Sequence, residues 1–98
     1  MANNLVERAI TAANQFTAPL RVGRNRKLNM SISSTAMSAT VHLQRKPLGT
    51  PDASFVTIGT YTANAQKVID SVGNWEYRVG VPTGAFTSAT ALNVQLLM

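Results

Sequence analysis

The sequence contains no cysteine. Disulfide bridges, thiolate zinc sites and a cysteine nucleophile are therefore excluded. Charge is also scarce, since Asp, Glu, Lys and Arg make up 13% of the 98 residues, about half the usual share near 25%. A chain of this length forms one domain with one modest core. We expect packing to hold that domain together, and the low charge favours contacts with other proteins.

The few charges are unequal in sign. Nine residues are Lys or Arg and four are Asp or Glu, which gives a net charge of +5. A basic chain is attracted to nucleic acid, to anionic lipid or to an acidic protein surface. The alternative, that scattered basic residues only keep the protein soluble, stays open at this point.

The residue types that catalysis and metal binding require are few. His42 is the single histidine, and the four acids are spread along the chain, whereas a metal site usually needs three or four ligands. Asp70 and Glu76 could approach each other across a hairpin, but Lys67 and Arg78 would be equally near, so a surface charge cluster is expected there. The sequence also lacks a G-x-S-x-G nucleophile motif. It therefore predicts a protein that is not an enzyme, with no catalytic, cofactor or metal site.

Long apolar runs are missing too. No run approaches the ~20 residues of a membrane span. The apolar stretch in residues 1–15 is interrupted by Glu7 and Arg8, so it lacks the core of a signal peptide. We expect a protein with no membrane association that is not exported by this route.

What the sequence does contain is a series of short alternating runs. Trp75–Val81 is the clearest, because its apolar and polar residues alternate with the period of a strand. Turn residues recur every 8–12 residues, which is typical of a sandwich or barrel. The sequence predicts an all-β fold, an antiparallel sandwich of about seven or eight strands, with hairpins over 55–71 and 66–81. The predicted strands are 15–22, 27–33, 39–46, 55–62, 66–71, 75–81 and 87–97.

Residues 1–14 differ from the sandwich predicted for residues 15–98. Leu5, Val6 and Ile10 could line one stripe of a short helix, or the segment could be an extended arm. A helix of ~14 residues is marginal alone in water, so the segment must dock on its own sandwich or on a neighbour. We expect an arm or short helix whose Leu5, Val6 and Ile10 contact a partner subunit.

The chain has one dense basic cluster, formed by Arg21, Arg24, Arg26 and Lys27 around a predicted turn. It is either a solvated turn or a contact for phosphates or for acidic residues of a partner. Aromatic residues do not interleave with these charges, which disfavours direct binding of nucleic acid. The four residues are therefore predicted as partner contacts.

The aromatic residues raise the alternative of a sugar-binding face. In the strand Trp75–Val81, however, Trp75 and Tyr77 share a parity with Val79 and Val81, which favours a place in the core. Arg78 has the opposite parity and should lie on the other face of its sheet.

Four short motifs occur in order along the chain: TVHLQR at 40–45, YTA at 61–63, YRVGV at 77–81 and TGAFTS at 83–88. In this combination the chain resembles small β-sandwich structural proteins of tailed bacteriophages, over roughly residues 15–96. Where relatives often have glycine after the Thr-Ser pair, this chain has Ala89, which affects no catalytic position.

The resemblance implies a virion component that is present in many copies and has no enzymatic role. The expected function is that of a capsid decoration (cement) protein, a homo-oligomer that binds the major capsid protein in virions assembled in the host cytoplasm. One alternative is a head-to-tail connector, or a tail ring component, whose partner is the connector. Outside the virion, the alternative is a module that binds carbohydrate or nucleic acid.

Overall fold

The computed structural model describes residues 5–98, and in these residues the fold is almost entirely β. This confirms the predicted all-β class. One 3-10 turn covers Asp52–Ser54. The strands are β1 Leu5–Ile10, β2 Gln15–Phe16, β3 Leu20–Val22, β4 Arg26–Ser33, β5 Ala36–Ala39, β6 Val41–Pro47, β7 Val56–Tyr61, β8 Ala65–Ser71, β9 Trp75–Val81, β10 Phe86–Thr90 and β11 Leu92–Leu97.

The strands form two main sheets and one ribbon, all with antiparallel pairing. The first sheet has the order β1-β11-β4-β8. The second sheet has the order β2-β9-β6-β7. Strand β3 also pairs with β9, along the first residues of β9, whereas β2 pairs with its last residues. Strands β5 and β10 pair only with each other among the described residues and form a separate two-stranded ribbon.

The strand order is that of a jelly roll. If β2 and β3 are counted as one strand interrupted at Ala18 and Pro19, and the ribbon strands β5 and β10 are set aside, eight main strands remain. The chain changes sheet between consecutive main strands everywhere except from β6 to β7. Two four-stranded antiparallel sheets connected in this way define the jelly roll, which occurs in viral capsid proteins, lectins and cupins. Since one fold serves several functions, function has to be argued from the surfaces.

The core lies between the two sheets and follows from the alternation of each strand. In β4, for example, Leu28, Met30 and Ile32 are buried while Lys27, Asn29 and Ser33 are exposed. The inward positions of β6, β9 and β11 are filled in the same way by aliphatic residues and Tyr77. The buried apolar residues are Ile10, Leu20, Val22, Leu28, Met30, Ile32, Val41, Leu43, Tyr77, Val79, Val81, Leu92, Val94 and Leu96.

Gly80 allows β2 to lie close to β9. A Cβ atom at this position would come within 2.6 Å of the Phe16 Cα. Any larger residue would therefore push β2 away from the sheet, which explains the glycine in the YRVGV motif.

Both predicted hairpins are wrong. Strand β7 pairs with β6 in the second sheet, and β8 pairs with β4 in the first. Strand β9 returns to the second sheet. The connections 62–64 and 72–74 thus cross from one sheet to the other. Alternation alone does not distinguish this arrangement from a hairpin, because an amphipathic strand buries its apolar face in either. The predicted strands 39–46 and 87–97 also each divide, at Thr40 and at Ala91.

The segment predicted as an arm or short helix is extended in its described part. Residues Leu5–Ile10 pair with β11 along their whole length and form an outer strand of the first sheet. Ile10 is buried, Val6 is half-buried against the core and Leu5 is exposed. Residues 1–4 lie outside the described residues.

Candidate functional site

The topology collects the connections at two ends of the sandwich. One end, which we call the basic end, is formed by the connections 23–25, 48–55 and 72–74 with the adjoining strand ends. The other, which we call the uncharged end, is formed by four segments: 11–14, 34–40, 62–64 and 82–91. The antiparallel pairing fixes this division. Each connection at the basic end joins a strand that ends there to one that begins there, and the same holds at the uncharged end.

At the basic end, the structure brings the predicted basic cluster to the surface. Arg21, Arg24, Arg26 and Lys27 are all exposed. Lys27 lies 3.9 Å from Asp70, with both side chains largely in solvent. Among the described residues, none of the three arginines forms an ion pair. Their charges are therefore free to meet an anionic partner.

Three connections join to make this end one continuous surface. The Arg24 amide donates a hydrogen bond to the Asn74 side-chain oxygen at 3.1 Å, and the Leu48 amide donates to the Asn74 carbonyl at 3.4 Å. Leu48 and Val72 are exposed, Val72 by 75%. This end therefore carries exposed apolar side chains together with exposed basic ones, a combination found at protein contact surfaces. Sequence reasoning missed Leu48 and Val72, because their proximity depends on which strands pair.

Lys46 ties the connection 48–55 to the second sheet. Its side chain is only 6% exposed, and its Nζ lies 3.3 Å from the Asp52 carboxylate and 3.6 Å from that of Glu76. It also donates a hydrogen bond to the Thr50 carbonyl.

The predicted cluster of Asp70 with Glu76 is wrong, since Asp70 lies in the first sheet and Glu76 in the second.

Arg78 lies on the outer face of the second sheet, as its parity predicts. Its guanidinium stacks between Phe16, at 4.0 Å from the ring centre, and Phe55, at 4.1 Å. Its Nε donates a hydrogen bond to the Gln44 side-chain oxygen at 2.8 Å. Burial lowers the pKa of Arg78 below its usual value, and the nearby Asp52 carboxylate acts in the opposite direction.

The aromatic residues offer little surface for stacking a sugar or a base. Tyr77 is buried as its parity predicts, and Trp75 is half-buried against the core, with the Arg45 guanidinium 4.0 Å above its ring. Phe16 and Phe55 are covered by Arg78. Among residues 5–98, no aromatic side chain belongs to the exposed large apolar residues.

His42 lies on the outer face of the second sheet, where its alternation places it. Its Nδ1 is 3.1 Å from the Thr57 hydroxyl. In the part of the chain that the structure describes, no three His, Asp or Glu side chains lie close enough to hold a metal ion.

The uncharged end contrasts in composition with the basic end. None of its residues is Asp, Glu, Lys, Arg or His, and none is buried. It includes the ribbon β5–β10, whose Met37, Ala39, Phe86 and Ala89 pack against the core. Grooves lie beside β5, lined by small residues of the ribbon and of the segments 62–64 and 84–87.

The structure brings the two predicted contact regions together only in part. Strand β1 begins toward the basic end, where Leu5 pairs with Leu97 and Leu97 with Asn29, and it ends at the uncharged end, where Ile10 pairs with Leu92. Ile10 is buried in the core, so only Leu5 of the three predicted apolar contacts is exposed.

Comparison with protein-family models, with characterised proteins and with solved structures gives no match for this chain. Among residues 5–98, no helix is long and apolar enough to cross a membrane.

Proposed function

We propose that this protein is a structural subunit of a tailed-phage virion, a decoration protein that binds the capsid shell through its basic end. The observation that carries the proposal is the composite surface of that end. Exposed Leu48 and Val72 lie there on connections joined to that of Arg24, and Arg21, Arg24 and Arg26 form no ion pair among the described residues. A surface of this kind fits an acidic protein face with an apolar centre.

Two further features support a structural role. The four ordered motifs resemble those of phage β-sandwich proteins, and the jelly roll is a fold that viral capsid proteins use. The side chains that could do chemistry are engaged in holding the fold: Lys46 with two carboxylates, Arg78 with two rings, and His42 with Thr57.

The alternatives differ in what the surfaces would have to provide. A lectin-like module needs exposed aromatic rings, and among residues 5–98 every aromatic side chain is buried or half-buried. A nucleic-acid-binding module needs stacking side chains among the basic residues, whereas the exposed large apolar residues on the connections of the basic end are the aliphatic Leu48 and Val72. A head-to-tail connector or tail ring component would use the same kind of contact surface in fewer copies.

Copy number in purified particles of the phage that encodes the chain tests the proposal. Quantitative mass spectrometry should find on the order of hundreds of copies per particle for a decoration protein and about a dozen for a ring. Absence from the particle would contradict the virion role altogether.

The contact surface is tested by one charge reversal at the basic end and a matched reversal elsewhere. Arg24→Glu should reduce incorporation into particles by about tenfold, since it places an acid opposite an acidic shell surface. Lys67→Glu, an equal change at an exposed position of β8 away from that end, should leave incorporation unchanged. Equal loss in both variants would show that net charge alone governs binding.

A further inference from the structure

The uncharged end covers about a quarter of the chain, yet every one of its residues is exposed or half-buried. At the 13% share of charged residues in the whole chain, about three charged side chains would be expected among these two dozen residues. The segments carry Ala, Ser, Thr, Asn and Gly instead.

The ribbon adds a second, independent feature. A two-stranded ribbon is marginally stable in water by itself. Here β5 and β10 pair only with each other among the described residues, so each strand has one edge that no other strand covers. Short strands, bulges and charged residues such as Lys protect such edges. The ribbon strands are short and their register shifts between Phe86 and Ser88, but they carry no charged residue, and grooves run beside β5.

The distribution of charge indicates what occupies this surface. Two copies of a chain with net charge +5 repel each other. Arg21, Arg24 and Arg26 lie at the basic end, so two copies that approach by their uncharged ends keep these groups far apart. An acidic partner, by contrast, would gain nothing from a surface without charge.

We propose that the uncharged end is the surface through which copies of this chain associate, with the ribbon edges supplying backbone contacts. This inference deepens the proposed function and rests on it for its biological setting, since a decoration protein acts in many copies. It assigns the basic end to the shell and the uncharged end to neighbouring copies.

Sedimentation velocity of the purified protein, over about a hundredfold range of concentration, measures the association. The wild-type protein should form a concentration-dependent oligomer. Raising the salt concentration should leave the association unchanged or strengthen it, because salt screens the repulsion between the basic ends.

The surface is tested by placing charge on the exposed ribbon. The double variant with Ser38→Lys and Thr87→Lys should raise the dissociation constant at least about tenfold, with a circular dichroism spectrum and melting temperature like those of the wild type. The control Val72→Lys adds positive charge to an exposed position of the basic end and should leave the dissociation constant unchanged.

Three results would overturn the inference: a monomeric wild-type protein at all concentrations, an oligomer that the double variant retains, or equal dissociation by Val72→Lys. The first would assign the surface to a different protein. This inference and the proposed function can fail independently of each other. A protein that associates by this end but is absent from particles would refute only the virion role, and a monomer found in particles would refute only this inference.

Discussion

The two ends of this sandwich are built from different chemistry, although the same antiparallel pairing creates both. At the basic end, charged side chains hold the connections in place, as Lys46 does with Asp52 and Glu76. At the uncharged end, hydrogen bonds between uncharged groups hold the connections in place. The Ser34 amide donates to the Asn64 side-chain oxygen at 2.9 Å, and the Asn64 amide group donates back to the Ser34 carbonyl at 3.1 Å.

The difference shows that the few charged residues of the chain are distributed unevenly over its surface. Charge is concentrated where a partner is proposed to bind and around the polar network of the second sheet. It is missing where copies are proposed to meet. Changes at the two ends should therefore differ in size and in kind.

The largest effect on stability is expected from Lys46→Met. This change leaves the Glu76 carboxylate, which is only 11% exposed, without its buried partner. Breaking a buried ion pair by removing one side costs about 3 kcal/mol or more. Urea unfolding should show a free energy of unfolding lower by about that amount.

The double variant Lys46→Met with Glu76→Leu serves as the control, because it removes both buried charges. It should recover most of the lost stability. If Lys46→Met alone is as stable as the wild type, the ion pair does not anchor the connection 48–55.

The next largest effect is expected at Arg78, between the rings of Phe16 and Phe55. Arg78→Ala should lower the free energy of unfolding by about 2 kcal/mol, since it removes two cation–π contacts and the hydrogen bond to Gln44. Arg78→Lys should recover only a small part, because an ammonium lacks the planar stacking surface. Full recovery with lysine, measured by urea unfolding, would show that charge alone matters there.

A smaller effect is expected at the uncharged end from Asn64→Ala. The change removes the reciprocal pair of hydrogen bonds to Ser34, at an exposed site where water replaces them. Thermal unfolding should report a loss of about 1 kcal/mol. A loss as large as that of Lys46→Met would remove the contrast between the ends.

The smallest effect is expected from Lys27→Gln at the basic end. Lys27 and Asp70 are more than 70% exposed and 3.9 Å apart, and such surface pairs contribute less than about 0.5 kcal/mol. The melting temperature should stay close to that of the wild type. A larger loss would mean that the rim of the basic end is part of the folded core and not a free contact surface.

Much of the fold could be predicted from the sequence, because alternation is a local signal. The strand Trp75–Val81 was predicted with its exact bounds, together with the burial of Tyr77 and the outward position of Arg78. The pairing could not be predicted in this way. A strand with one apolar face can bury it beside its neighbour or across the core, and β7 and β8 take the second arrangement.

The candidate surfaces were predictable only in part, for the same reason. The basic cluster is contiguous in sequence and was found directly. The exposed Leu48 and Val72 come from connections distant in the chain, and the uncharged end is assembled from four of them. Its signal, long stretches without a charged residue such as 79–98, is visible in the sequence but gains meaning only once the topology places those stretches together.

Hydrogen exchange of the protein free in solution and bound to purified particles tests the central claim most directly. The account predicts that binding slows exchange at the basic end, in residues 23–25, 48–55 and 72–74. The ribbon should be protected whenever copies associate. Particle binding that leaves the basic end as exchangeable as in the free protein would contradict the account.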